Sequence, residues 1–115
     1  MYKIVSFLKM REGLTPDQFR EYYEDHHVPL ILSLAPAPLV YRRRYLKHEN
    51  EVTQSGNRID YDVTTELGFS DASAFQHWMT ILFAPETGEK VIADEAVFLD
   101  RTKTCAYTVV ECITA

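Results

Sequence analysis

The chain has 115 residues, enough for one domain built around one core. Hydrophobic residues are 46% and charged residues 25%, the balance of a folded globular protein. Twelve Lys and Arg against seventeen Asp and Glu leave a net charge of −5, which argues against a nucleic-acid binder and against docking on anionic membranes.

The stretch Met1–Lys9 alternates apolar and polar residues and lacks the apolar core of a signal peptide. No run reaches the roughly 18 apolar residues of a membrane-spanning helix. Residues 2 to 9 instead read as a first strand, rich in β-branched and aromatic side chains. A helix follows. Thr15 is its cap, Pro16 fits its first turn, and Gln18 stands three residues after the cap, completing a capping box. Leu14 and Phe19 are placed for a hydrophobic staple. Phe19, Tyr22, Tyr23, His26, His27, Leu30, Ile31 and Leu34 form one broad face, with Arg20, Glu21, Glu24 and Asp25 opposite. Pro29 is expected to kink this helix, and Pro36 and Pro38 to end the segment.

Residues 39 to 48 and 59 to 69 read as two strands joined by a polar loop around Ser55-Gly56-Asn57. Ser70 or Asp71 caps a helix over 71–83, with Phe75, Trp78, Met79 and Leu82 on one face. Pro85 and Gly88 are expected to interrupt it, a short helix to follow over 89–99, and a last strand over 102–113. The order β-α-β-β-α-(α)-β is the split βαβ, or ferredoxin-like, arrangement of the α+β class. Its four-stranded antiparallel sheet carries helices on one face only. The other face needs a cover, and a second copy of the chain supplies one, so a homodimer is expected. Nothing divides residues 1 to 115 into two domains.

Strand alternation sorts the side chains. Pairing Leu46 with Asp62 places Arg44 opposite Thr64 and Arg42 opposite Glu66. Ile59, Tyr61, Val63, Thr65, Leu67 and Phe69 then face the helices. Arg42, Arg44, Asp62 and Glu66 share the other face. They form either an ion-pair ladder or a polar cavity, in which Arg orients an anionic or carbonyl substrate and a carboxylate moves a proton.

Six Phe, seven Tyr and one Trp are many for so small a chain, and they must fill a core, an interface or a pocket. Cys105 and Cys112 lie in one predicted strand with no turn between them, so free thiols and a reducing, cytoplasmic setting are expected. The four Gly are scattered, and no phosphate loop, Gly-x-Ser-x-Gly elbow or His-Glu-x-x-His site occurs, so neither metal nor cofactor is expected.

The run Leu14-Thr15-Pro16-Asp17-Gln18-Phe19, the pair Tyr22-Tyr23 and His27-Val28-Pro29-Leu30 resemble the EthD family of small dimeric α+β barrel proteins. Ala93-Asp94-Glu95-Ala96-Val97-Phe98-Leu99-Asp100 is similar to that family's closing helix. The length and the Tyr22-Tyr23 pair resemble fungal members near polyketide pathways. The resemblance implies a dimeric barrel with a small-molecule cavity. Related barrels are cofactor-free cyclases, dehydratases, lactone isomerases and monooxygenases.

His27 occupies the His-x-Pro position. Its imidazole suits proton transfer, or else it is a helix-end His bonded to backbone. Tyr23 stands one turn before it and can donate a phenolic proton, or simply fill core, as can Tyr22. His26 points to another side of the helix. Trp78 fits the apolar stripe and can border a pocket, and His77 lies at that stripe's edge. The expected activity is a cofactor-independent lyase or isomerase step on an aromatic or polyketide-like molecule. His27, Tyr23 and Asp62 would do the chemistry, and Arg42, Arg44, Glu66, Tyr22, His26 and Trp78 would hold the substrate. The alternatives are a non-catalytic binding protein of an oxidative pathway and a cofactor-free or haem-assisted monooxygenase.

Overall fold

The computed structural model describes residues 1 to 115. The elements are β1 (Tyr2–Leu8), α1 (Pro16–Tyr22), a π-helical turn (Tyr23–His27), α2 (Val28–Leu34), β2 (Val40–Tyr45), β3 (Val63–Phe69), α3 (Ala72–Leu82), α4 (Pro85–Phe98) and β4 (Cys105–Thr108). The sheet is antiparallel in the order β2-β3-β1-β4, the ferredoxin-like pattern. The helices cover one face of it.

Helix α1 starts as the sequence dictates. The Thr15 hydroxyl accepts from the Gln18 amide at 3.1 Å, and the Gln18 side chain accepts from the Thr15 amide at 3.0 Å. Both orphan donors of the first turn are satisfied at once. The expected kink at Pro29 takes a specific form. Pro29 has no N–H to return to the preceding turn, and the chain loosens there into one π turn, with the Val28 amide bonded to the Tyr23 carbonyl. The wider turn places Tyr23, His27, Val28 and Ile31 together on the buried side and leaves His26 outside.

The hairpin register is as the sequence predicts. Arg42 pairs with Glu66, Arg44 with Thr64, and the Leu46 amide bonds to the Asp62 carbonyl at 2.9 Å. Three strands are shorter than expected. β2 ends at Tyr45 and β3 starts only at Val63, so Ile59 and Tyr61 never join the covered face: Ile59 is 52% exposed, and Tyr61 packs its ring on Phe7 at 5.5 Å. β4 stops at Thr108, opposite Ile4, and one further bond runs from the Val109 amide to the Lys3 carbonyl at 3.3 Å. Pro85 opens α4 rather than interrupting a helix, since its missing N–H is harmless in a first turn. Gly88 lies inside α4, where a Cβ would sit 3.2 Å from the Phe83 backbone.

Two apolar clusters hold the helices on the sheet. Ile4, Ile31, Leu67, Phe69, Trp78 and Leu82 form one, and Phe19, Tyr23, Val28, Val63, Phe98 and Leu99 the other. The uncovered face carries a different chemistry. Glu66 is buried there among cations: Lys3 at 3.1 Å, Arg44 at 3.3 Å and Arg42 at 3.8 Å. Burial pushes its carboxyl up, but the bonds from Lys3 and Arg44 outweigh this and hold it below the usual range. Lys3 also binds Glu111 at 2.9 Å.

Candidate active site

Between the covered sheet face and the helices lies a cavity of about 220 Å3. Its walls are mainly apolar, among them Ile4, Ile31, Leu67, Phe75, Met79 and Leu82. Tyr23, His27, Thr65 and Glu95 supply polar groups to the same space. A mostly apolar cavity with a few convergent polar groups is the usual form of a small-molecule site.

His27 is 7% exposed, brought inward by the π turn. Its Nδ1 lies 2.7 Å from Asp94 Oδ2. The Tyr22 hydroxyl donates to the other oxygen, Asp94 Oδ1, at 2.6 Å. Asp94 therefore grips both side chains from α4. That bond raises Tyr22 to about 12, and burial adds to the rise, so Tyr22 is a neutral donor. Of the two ring nitrogens, Nδ1 is the one held by Asp94, and Nε2 is free of that contact. The His27 ring packs edge-on against Tyr23 at 5.4 Å and at a tilt against Phe98 at 5.0 Å, which fixes its plane.

Tyr23 is 2% exposed, and its hydroxyl is 2.6 Å from Thr65 Oγ1. Burial raises it to about 12, so it too stays a phenol. Outside the cavity wall, Arg43 donates to Glu24 at 2.9 and 2.6 Å, and Tyr45 donates to Glu24 at 2.5 Å. The Arg43 guanidinium holds the Glu24 carboxyl below its ordinary range.

Glu95 is the one acidic residue of the cavity wall. Burial pushes its carboxyl up, against the pull of His27 and of Arg101, whose Nε is 3.3 Å away. A carboxyl raised on folding favours the protonated form. Its contribution to stability falls as pH rises through the window between the unfolded and folded values, and its buried charge weakens the fold at neutral pH. Glu95→Gln is therefore expected to stabilise the protein at pH 7 more than at pH 4, as read by urea denaturation. A variant weaker than the parent at pH 7 would show instead that the Arg101 pair outweighs burial.

The site residues expected from sequence divide between two places. His27, Tyr23 and Trp78 line the cavity, and Tyr22 supports His27 from behind through Asp94. Arg42, Arg44, Glu66 and Asp62 do not reach it. The cavity lies on the side of Thr65 and Leu67, so residues of opposite parity on β2 and β3 point away from it. Asp62 accepts from the Met10 amide at 2.7 Å and pairs with His48 at 3.2 Å, which ties down the hairpin base. His26 is exposed, stacked on Tyr22 at 4.8 Å. His77 is exposed as well. No three His, Cys, Asp or Glu side chains converge to hold a metal ion.

Asp94, Glu95 and Thr65 are part of the site and were not singled out from the sequence. The signal lay in α4. Val91 and Phe98 are seven apart on its buried face, and the position between them, where the stripe asks for an apolar residue, is taken by two acids.

No curated protein matches the chain. Among solved structures, an ethyl tert-butyl ether D (EthD) family protein from Bacillus halodurans superposes with a TM-score of 0.66 at 15% identity, covering 97% of this chain and 99% of its own. A protein of Arabidopsis thaliana gives 0.65 at 14% identity, covering 100% and 99%. A dimeric ferredoxin-like protein of unknown function from Thermobifida fusca gives 0.58 at 14%, covering 96% and 90%. At such identities the likeness is one of fold. The model of the EthD domain, however, matches residues 11 to 102, a span that takes in the capping box, the π turn with His27 and the whole of α4 with Asp94. On that match the chain belongs to the EthD domain family.

Proposed function

We propose that the protein is a cofactor-independent enzyme that moves a proton on an aromatic or polyketide-like carbonyl compound, in an isomerisation, cyclisation or dehydration. The observation that carries this reading is the buried His27 held by Asp94 at the polar end of an apolar cavity. His27 Nε2 takes the proton from the carbon next to the carbonyl, and the bonding pair becomes the enolate. Asp94 balances the imidazolium that forms. The imidazolium then returns the proton, either to the enolate or to a departing hydroxide, which leaves as water. Tyr23, a neutral phenol beside His27, is placed to donate to the developing oxyanion.

2-Tetralone, a flat bicyclic ketone, tests the reading. The protein is expected to speed exchange of its α-protons for deuterium in D2O, followed by NMR. Binding of 2-tetralone without faster exchange would favour the second reading, a non-catalytic small-molecule carrier, for which the predominance of apolar walls speaks.

The same reading includes a second copy of the chain over the uncovered sheet face. Phe7, Tyr61 and the 60% exposed Tyr107 form an aromatic patch there, and the Thermobifida fusca neighbour is described as dimeric. Sedimentation would return twice 13.3 kDa if so, and 13.3 kDa if not.

A further inference from the structure

Glu95 differs from the other acids set into this fold in how few donors it has. Asp94 accepts from Tyr22 and is bonded to His27. Glu24 accepts from Arg43 and from Tyr45. Asp62 accepts from the Met10 amide and is paired with His48. Glu66 has Lys3 at 3.1 Å and Arg44 at 3.3 Å. Glu95 has Arg101 alone, with Nε 3.3 Å from Oε1. A carboxylate can accept about four hydrogen bonds, so most of its capacity is unused.

That capacity belongs to the cavity. Glu95 is part of its wall and keeps 22% of its side-chain surface. Its oxygens are not sealed off, whereas the unpaired indole nitrogen of Trp78 is. The arrangement follows from α4. Asp94 and Glu95 are successive, and about 100° of helix rotation separates them. Asp94 turns to the back of His27, and Glu95 turns to the cavity. The charge of a protonated His27 acts on the Glu95 carboxyl, so the two groups share one end of the cavity. A ligand that fills the cavity strips solvent from this carboxylate, and only a ligand with a donor makes up the loss. Charge selects the kind of donor. Arg101 already balances Glu95, and an ammonium there would meet both Arg101 and a protonated His27. A neutral hydroxyl meets no such repulsion.

We infer that Glu95 accepts a hydrogen bond from a hydroxyl of the bound molecule and so selects hydroxylated compounds. The ligand is a mainly apolar molecule with an alcohol, enol or phenol at the end on which His27 acts. This rests on the cavity being the binding site, and the selection by Glu95 does not require proton transfer at His27. A molecule of the same shape without the hydroxyl buries the carboxylate with Arg101 as its single partner and binds more weakly.

Two probes of nearly equal size test this by fluorescence titration of the full chain: 2-naphthol, which has the hydroxyl, and 2-methylnaphthalene, which lacks it. The quantity read is the ratio of the two affinities, in which the general fit to the cavity cancels. Glu95→Met keeps the length of the side chain and removes the acceptor. There the ratio is expected to shift against 2-naphthol on the order of 10-fold relative to wild type. In Glu95→Gln the amide oxygen still accepts, as a neutral group. The shift there is expected to be about 3-fold, since a charge-assisted bond is roughly twice as strong as a neutral one. An unchanged ratio in Glu95→Met would overturn the inference and leave the cavity as a binding site. If Glu95→Met fails to fold, an unchanged ratio in Glu95→Gln would overturn it likewise. Binding of neither probe would sink both the inference and the reading it rests on. Proton exchange on 2-tetralone is a separate measurement. Its absence beside a shifted ratio would remove the proton transfer at His27 and uphold the selection by Glu95.

Discussion

A His27→Asn protein is expected to lose roughly 10²- to 10⁴-fold of its exchange rate on 2-tetralone, the usual contribution of a positioned acid–base group, while its stability hardly moves. The choice of asparagine matters. Its amide nitrogen takes the place of Nδ1 and can still donate to Asp94, so the bond at 2.7 Å has a substitute. Only the outer nitrogen is removed. Asp94→Asn is expected to cost less, because an amide oxygen still orients the imidazole but no longer balances its charge. Tyr22→Phe is expected to cost least, since it removes one donor to the carboxylate and leaves the other contact intact. The order matters more than the sizes. A Tyr22→Phe protein as slow as His27→Asn would mean that proton transfer does not pass through His27 as described.

Phe98→Ala is expected to destabilise the fold by about 3–5 kcal/mol, the range for truncating a fully buried aromatic. Phe98 is 0% exposed, and its ring meets Phe19 at 5.8 Å, Tyr22 at 5.3 Å, Tyr23 at 5.2 Å and His27 at 5.0 Å. It is the point where α4 keys into α1 and the π turn. Neighbouring Val97 is 42% exposed, so Val97→Ala should stay within about 1 kcal/mol and serve as the reference. Urea denaturation of the two variants checks the contrast. Equal losses would show that the cluster collapses onto the vacated space. Any protein still folded after Phe98→Ala should also hold His27 less firmly.

The parts of the fold that the sequence announces are those decided within a few residues. The capping box from Thr15 to Gln18 is local, and so is the alternation that fixes Arg42 against Glu66. What the sequence does not settle is what each element meets. Val109, Val110 and Ile113 have the composition of a strand, but they lie past the end of β4 at Thr108, and Val110 and Ile113 are exposed. Pro85 reads as a breaker unless one knows that a helix begins there. The site follows the same rule. Spacing on one helix brings out His27 and Tyr23. Alternation sorts the two faces of the hairpin, but the charges of one face suggest a cavity there, and the cavity lies on the other. The partner of His27 comes from α4, 67 residues away, and no helical period links the two.

The π turn makes the geometry of the site tolerant of chain count. A loosened turn holds one residue more than an α-helical turn over nearly the same rotation. Removing a residue between Tyr23 and His27 would let the helix close into regular α form, and α2 would keep nearly the same face toward the sheet. The helix can thus give up one residue here without turning the side chains that follow away from the cavity.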